Sequence, residues 1–452
     1  MKIRVENLGA LQQAEFTLGD LTILCGENNT GKTYATYALY GFLSNWRQCI
    51  SIDILGETVQ RLLSEGVVGI DVTAYLEKLP SLLEHGCDAY TKRLPSVFAA
   101  SEGTFGESVF FITIDTDDVD ISEDYEGMVA AGEGIKLFTF AKAQGSTKLI
   151  ITLLMEKGTP GFLQETVTGI IGDVLKDILF DPFFPNPFIA SSERTATAVF
   201  RNDLDLHRGG TDSYGVPRNL FASYSLPVSK NLEFVRQLER VSKRTGFLSQ
   251  NHPDLLTDFS DIIGGEYTVT RNDELYFLPK GRRGIKLSMD ASSSAVRSLL
   301  DIGFYLKHIA KPGDILMVDE PELNLHPRNQ RRVARLFARL VNIGIKVFVT
   351  THSDYLIKEL NTLIMLHPGG PRLRGIAERE GYLPQELLSP EQVKVYITEE
   401  KLLPQPGKTK RKRGLTLTPA NIDPDLGIEV RSFDTTIVEM NQIQDEILWG
   451  EE

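Results

Sequence analysis

The chain has 452 residues, 42% of them hydrophobic and 24% charged. That is the composition of an ordinary soluble protein, long enough for a large core and more than one lobe. Its formal net charge of −13 argues against nonspecific coating of nucleic acid by the whole surface, while leaving room for a local basic groove. No run of eighteen or more apolar residues occurs, so no transmembrane helix and no membrane partner is expected. Cys25, Cys49 and Cys87 have no metal-ligand spacing and fit a reducing cytoplasm.

Met1–Glu6 is an amphipathic strand start rather than a signal peptide. Alternation predicts strands over Lys2–Asn7 and Ala14–Leu18, and Leu21–Cys25 reads as a third, buried strand. It runs into Gly26-Glu27-Asn28-Asn29-Thr30-Gly31-Lys32-Thr33, which completes the G-x-x-x-x-G-K-[ST] pattern of a P-loop. A phosphate chain must lie against backbone N–H groups there, and a side chain at either glycine would block it. The helix that follows, Tyr34–Asn45, aims free N–H groups and a positive dipole end at the anion. Lys32 then reaches the β- and γ-phosphates of ATP, and Thr33 offers its hydroxyl to Mg²⁺. A chance glycine turn is the alternative; the apolar strand before it and the helix after it argue against that.

Residues 50–100 turn helical, and Ser108–Ile114, Ile135–Ala141 and Lys148–Leu154 read as an antiparallel sheet. The acidic block Asp115–Glu126 reads as a solvated loop. Thr166–Phe180 is helical again. Pro185–Arg194 reads as a strand that ends in a polar, charged turn, and residues 201–230, without a period, form a long loop. Leu232–Val241 is an amphipathic helix. Glu266–Thr270, Glu274–Leu278 and Gly284–Leu287 are short strands.

Asp314–Asp319 is an apolar strand ending in the carboxylates of Asp319 and Glu320, a Walker B pattern. Asp319 suits a contact to Mg²⁺, and Glu320, one residue further, can orient and deprotonate an attacking water. A buried strand ending in an acidic turn is the plainer reading, outweighed by the P-loop upstream. Lys346–Thr351 is another apolar strand, whose tip carries His352. Between them, Pro327–Asn342 has Val333, Leu336, Phe337, Leu340 and Val341 at helical spacing and a basic face of Arg328, Arg331, Arg332, Arg335 and Arg339, read as solvated.

Together, Gly26–Thr33, Val318-Asp319-Glu320-Pro321-Glu322-Leu323-Asn324-Leu325-His326-Pro327 and Thr350-Thr351-His352-Ser353 resemble the ABC-type ATPases of the SMC, RecF and OLD group, over roughly residues 1–45 and 185–366. The resemblance implies that His352 is a switch histidine, that Glu322–His326 faces a second subunit, and that ATP lies between two heads. A serine-rich signature would cap the partner's γ-phosphate, and Ser292, Ser293 and Ser294, before the stripe Val296, Leu299, Leu300 and Gly303, are the candidates. A plain serine N-cap is the alternative. The signature departs from the L-S-G-G form, which weakens a transporter reading and fits OLD-like and defence-associated ATPases. A Glu-Arg pair like Glu193-Arg194 follows the same strand in those proteins. Arg194 then sits near nucleotide or the dimer seam, or makes a structural ion pair.

The expected fold is α/β: an ABC-type P-loop ATPase head with a mixed sheet flanked by helices. Residues 1–48 form its N-terminal part, 49–184 an inserted helical and antiparallel-β lobe, 185–370 the C-terminal part, and 371–452 a small extension. The tail reads as strands, a basic loop at Lys408–Arg413 and a final helix over Thr436–Leu448. The basic run is a solvated loop or a contact for nucleic-acid phosphate. Val395–Glu400 and Asp423-Pro424-Asp425 only superficially resemble a TOPRIM nuclease, since the glycine before the glutamate is missing and no apolar strand precedes Asp423. The expected function is an ATP-hydrolysing sensor or regulatory subunit of a bacterial anti-phage defence system. Its partners would be a second copy of itself and a nuclease or toxin effector from the same operon, with nucleic acid as a further partner. An OLD-like nuclease and a RecF-like DNA repair ATPase are the alternatives. A P-loop small-molecule kinase would not need the Asp-Glu-Pro and Thr-His-Ser tips together, and no sustained heptads support a long coiled coil.

Overall fold

Leu21–Cys25 is buried at every residue, as a strand flanked on both sides must be. The computed structural model describes residues 1–115, 119–131, 135–154, 164–199, 224–271, 273–282, 284–405, 408–429 and 439–446. The chain divides into two units.

The larger unit comprises Arg4–Gly41, Leu94–Ser108 and Asn186–Glu452. Its mixed sheet carries, in spatial order, Leu11–Thr17, Lys408–Pro419, Val393–Gln405, Leu21–Cys25, Lys346–Thr351, Asp314–Asp319 and Asn186–Ala190. The last five named are parallel neighbours. Their register is matched at one end: Ile397 lies opposite Cys25, Cys25 opposite Thr351, Thr350 opposite Asp319, and Val318 opposite Ala190. The polar residue after each apolar run therefore emerges at a common edge, the carboxyl end of the strands, where α/β sheets present ligand sites.

Helices cover this sheet. Pro327–Asn342 buries Val333, Leu336, Phe337 and Leu340, which pack with Val347, Val349 and Leu356 in one apolar cluster. Its basic face is not simply solvated. Arg331 pairs with Glu359 at 2.5 Å and Arg335 with Glu386 at 2.7 Å, while Arg339 pairs with both Asp254 and Asp258. Arg332 donates to the Asp261 carbonyl at 3.0 Å, and Arg328 stays exposed. The spacing of the arginines is visible along the helix; the carboxylates that meet them come from distant elements.

The tail carries a second difference. The basic run is a strand, not a loop: Lys408–Pro419 pairs antiparallel with Val393–Gln405. The segment 371–452 thus supplies two long strands to the central sheet. Of the expected final helix, 439–446 is helical, and its ends lie outside the described residues. Leu226–Arg236 and Leu238–Ser242 stand where one helix was expected; residues 201–223 of the expected long loop lie outside the described residues.

The smaller unit comprises Met1–Ile3, Phe42–Arg93 and Val109–Pro185. It holds a four-stranded antiparallel sheet in the order Val67–Asp71, Lys148–Leu153, Ile135–Lys142, Tyr125–Ala131. Val67–Asp71 falls in the stretch expected to be helical; its alternating burial and pairing with Lys148–Thr152 make it a strand. Val109–Thr113, grouped with these strands from sequence, is no member of this sheet. Phe42, Trp46, Tyr90, Phe110, Phe180 and Phe184 form an aromatic core with ring centroids 4.8–5.9 Å apart between neighbours. Residues 116–118 of the acidic block lie outside the described residues.

Candidate active site

The P-loop crosses from the tip of Leu21–Cys25 to the helix beginning at Lys32. Gly26 has φ of 132° and Gly31 φ of 99°, backbone that side chains rarely adopt. A Cβ on Gly26 would meet Thr398 Oγ1 at 2.2 Å, and one on Gly31 would meet Leu11 at 2.6 Å. Both glycines are thus required by the fold as well as by an approaching phosphate. Lys32 is buried and folds back over the loop, its Nζ donating to the carbonyls of Gly26 at 2.9 Å and Glu27 at 2.6 Å. Burial lowers its pKa, opposed by the charges of Glu320 and Asp319. Thr30 Oγ1 donates to the Glu27 carbonyl at 2.7 Å. Asn28, Asn29 and Thr33 are exposed, which leaves the Thr33 hydroxyl accessible to a cation.

At the next strand but one, Asp319 is buried and accepts from the Thr350 hydroxyl. Burial holds its carboxyl above the usual range despite that bond. Glu320 sits at φ of 50°, a left-handed conformation that costs a non-glycine residue on the order of 1 kcal/mol. Its N–H donates to the Thr350 carbonyl at 3.1 Å. Its Oε1 stands 3.4 Å from His352 Nε2, and that contact holds the carboxyl below its ordinary value, as a base ionised at neutral pH requires.

Glu322 ties the two strand tips together: Oε1 accepts from Thr351 Oγ1 at 2.9 Å and from His352 N–H at 2.6 Å. Asn324 and His326 are exposed, and His326 caps the following helix, its Nδ1 accepting from Arg328 N–H at 3.2 Å. Lys32, Asp319, Glu320 and His352 are thereby gathered at one edge of the sheet.

The serines lie at the start of Ser294–Ser298, ahead of Leu300–His308. Ser292 is buried and spends its hydroxyl on the Ser288 carbonyl at 2.7 Å. Ser293 caps the helix by accepting from Val296 N–H at 3.3 Å and stays exposed. Ser294 is half-buried. Arg297 Nη1 holds this turn in shape through the carbonyls of Met289, Asp290 and Ser292.

Arg194 grips backbone rather than a carboxylate, beside the candidate nucleotide site. It is 0% exposed and spends its donors on backbone carbonyls at the Walker B tip and the serine helix. Glu193 instead accepts from the Tyr37 hydroxyl at 3.2 Å. Thr350, Thr398 and Asp301 also belong to the site region. Of these, sequence reasoning had a local signal only for Thr350, which stands in the strand tip ahead of His352.

The model of the family described as AAA ATPase domain matches residues 1–128 and 230–357. UvrABC system protein A of Thermus thermophilus is 26% identical over 198 residues, which cover 44% of this chain and 20% of that protein. UvrABC system protein A of Methanothermobacter thermautotrophicus is 28% identical over 108 residues, covering 24% and 11%. The chain therefore spans about a fifth or less of the length of these curated relatives. Among solved structures, the SMC head domain from Thermotoga maritima aligns with a TM-score of 0.32 at 10% identity over 93% of this chain and 98% of that one. The Smc head domain with an extended coiled coil bound to the C-terminal domain of ScpA from Pyrococcus furiosus gives 0.32 at 11% over 98% of each.

Proposed function

This chain belongs to the AAA ATPase domain family, and from that premise we propose that it is an ABC-type ATPase that hydrolyses ATP between two copies of itself. The observation that carries this reading is the gathering of Lys32, Asp319, Glu320 and His352 at adjacent parallel strand tips, with Glu320 Oε1 3.4 Å from His352 Nε2. The loop Gly26–Thr33 cradles the phosphates with its N–H groups, and Lys32 leaves its carbonyls for the β- and γ-phosphates. Thr33 and Asp319 would hold Mg²⁺, which would neutralise phosphate charge. Glu320 takes the proton of the attacking water, and His352 orients it. Ser292–Ser294 of one head address the nucleotide of the other.

The test is a pair of variants. Lys32→Ala is expected to lose ATP binding. Glu320→Gln is expected to keep binding and stop turnover, because an amide does not accept the proton. Equal turnover by wild type and Glu320→Gln would remove the base assignment.

In the cell, this reading makes the chain a cytoplasmic sensor or regulatory ATPase of an anti-phage system acting through a separate effector. Among the described residues, no helix is long and apolar enough to cross a membrane. An intrinsic nuclease is disfavoured because Glu399 lies on the strand that pairs with the P-loop strand inside the ATPase sheet. A DNA-associated repair role is the second reading, favoured by the exposed Arg411, Lys412 and Arg413 on the strand Lys408–Pro419.

A further inference from the structure

Arg194 follows the strand Asn186–Ala190 and lies wholly inside the larger unit. Its Nε donates to the Ser298 carbonyl at 2.7 Å. Its Nη1 donates to the carbonyls of Ser191 at 2.8 Å and Asp319 at 2.6 Å, and its Nη2 to that of Glu320 at 2.8 Å. One planar fork thus grips three segments: its own turn, the end of the serine-bearing helix and the Walker B tip.

A guanidinium cannot flex. A shift of the Ser298 carbonyl must tilt the plane, and the tilt reaches Asp319 and Glu320. Glu320 is receptive to such a push, since its left-handed backbone is held by two anchors: Thr350 on the N–H and Arg194 on the C=O. Ser298 makes a parallel tie, its hydroxyl within 3.2 Å of the Leu323 carbonyl. The arrangement is not an ordinary ion pair. Asp301, one turn beyond Ser298, faces Arg194 electrostatically but hydrogen-bonds nothing with either oxygen. A buried cation spent on carbonyls secures geometry rather than charge pairing.

We propose that Arg194 is a positioning residue that couples the serine-bearing helix to Glu320, so that engagement of Ser292–Ser294 by one nucleotide aligns the base at the other. This rests on the two-head reading above. In that reading the serines and Glu320 of one chain serve different nucleotides, and Arg194 is the rigid link between them.

The experiment is a double-mutant cycle between Arg194→Lys and Ser292/Ser293/Ser294→Ala, read as ATP–Mg²⁺ affinity, kcat and melting temperature. Lysine keeps the charge but, as a point donor, cannot bridge three segments. Arg194→Lys is expected to leave ATP affinity near wild type and lower kcat about 100-fold, the scale of a misplaced catalytic group. The serine changes should then cost nothing further in that background. Additive losses, wild-type kcat, or affinity and melting temperature falling together with kcat would overturn the link. Should Arg194→Lys not fold, Arg194→Gln, whose single amide cannot bridge three segments, is taken through the same cycle and judged by the same outcomes. Lys32→Ala that still binds ATP, or a serine triple variant that turns over normally alone, would instead overturn the two-head reading.

Discussion

The hydroxyls of Thr30 and Thr398 lie 2.5 Å apart, so a strand near the end of the chain forms one wall of the P-loop. Thr398 Oγ1 also donates to the Cys25 carbonyl at 3.3 Å. Gly26→Ala would place a methyl 2.2 Å from Thr398 Oγ1 and 3.0 Å from the Thr398 carbonyl oxygen, at φ of 132°. This variant is expected to lose ATP binding and to melt earlier. Adding Thr398→Ala should not restore it, because the carbonyl and the φ remain. Thr398→Ala alone should cost about 1 kcal/mol, the scale of one hydrogen bond. Equilibrium binding and thermal unfolding check both, and Gly26→Ala with wild-type affinity would refute the clash.

Asp301 makes stability depend on pH. Burial pushes its carboxyl up to about 7 against the pull of Arg194, with Tyr267 also facing it. The folded chain therefore holds this proton more tightly than the unfolded chain, whose carboxyl titrates near 3.8. The stabilisation is complete below that value and is lost as pH rises through about 7. Asp301→Asn cannot ionise, so its melting temperature should exceed that of wild type at about pH 8.5, and the gap should narrow below about pH 7 and close only toward about pH 3.8. The gap at the alkaline end is capped at about 4 kcal/mol, from about 1.4 kcal/mol for every pH unit between the two titration points. An asparagine variant less stable than wild type at the alkaline end would contradict this.

Arg411, Lys412 and Arg413 are exposed on a strand of an acidic protein. If they meet DNA phosphates, changing all three to Gln should weaken binding to a short duplex. The slope of log affinity against log salt should flatten by up to about three, since each phosphate contact contributes roughly 0.9. A titration across salt concentrations reads both, and an unchanged slope leaves the three side chains merely solvated.

Dimerisation through nucleotide is checked by mass in solution. Glu320→Gln with ATP–Mg²⁺ is expected to double in mass, because the bound γ-phosphate joins the heads and is not removed. The Ser292/Ser293/Ser294→Ala variant should turn over ATP about 100-fold more slowly than wild type, no further than Arg194→Lys does. A Glu320→Gln protein that stays monomeric with ATP, alongside a triple variant that hydrolyses normally, would end the composite-site model.

The amino-acid sequence by itself determined the strand Leu21–Cys25, the helix starting at Lys32, and the strands Asp314–Asp319 and Lys346–Thr351. These are local signals: an apolar run, its polar tip and the glycines between are set by neighbours along the chain. Tertiary structure alone decided the rest. Val67–Asp71 became a strand by pairing with Lys148–Thr152, and Lys408–Pro419 by pairing with Val393–Gln405. Arg331, Arg335 and Arg339 found carboxylates on other elements. Thr398 reached Thr30 across 368 residues, and Arg194 found carbonyls on three segments. Backbone carbonyls carry no residue identity, so a side chain that works by gripping them leaves no pattern in sequence; only the packed sheet brings them within its reach.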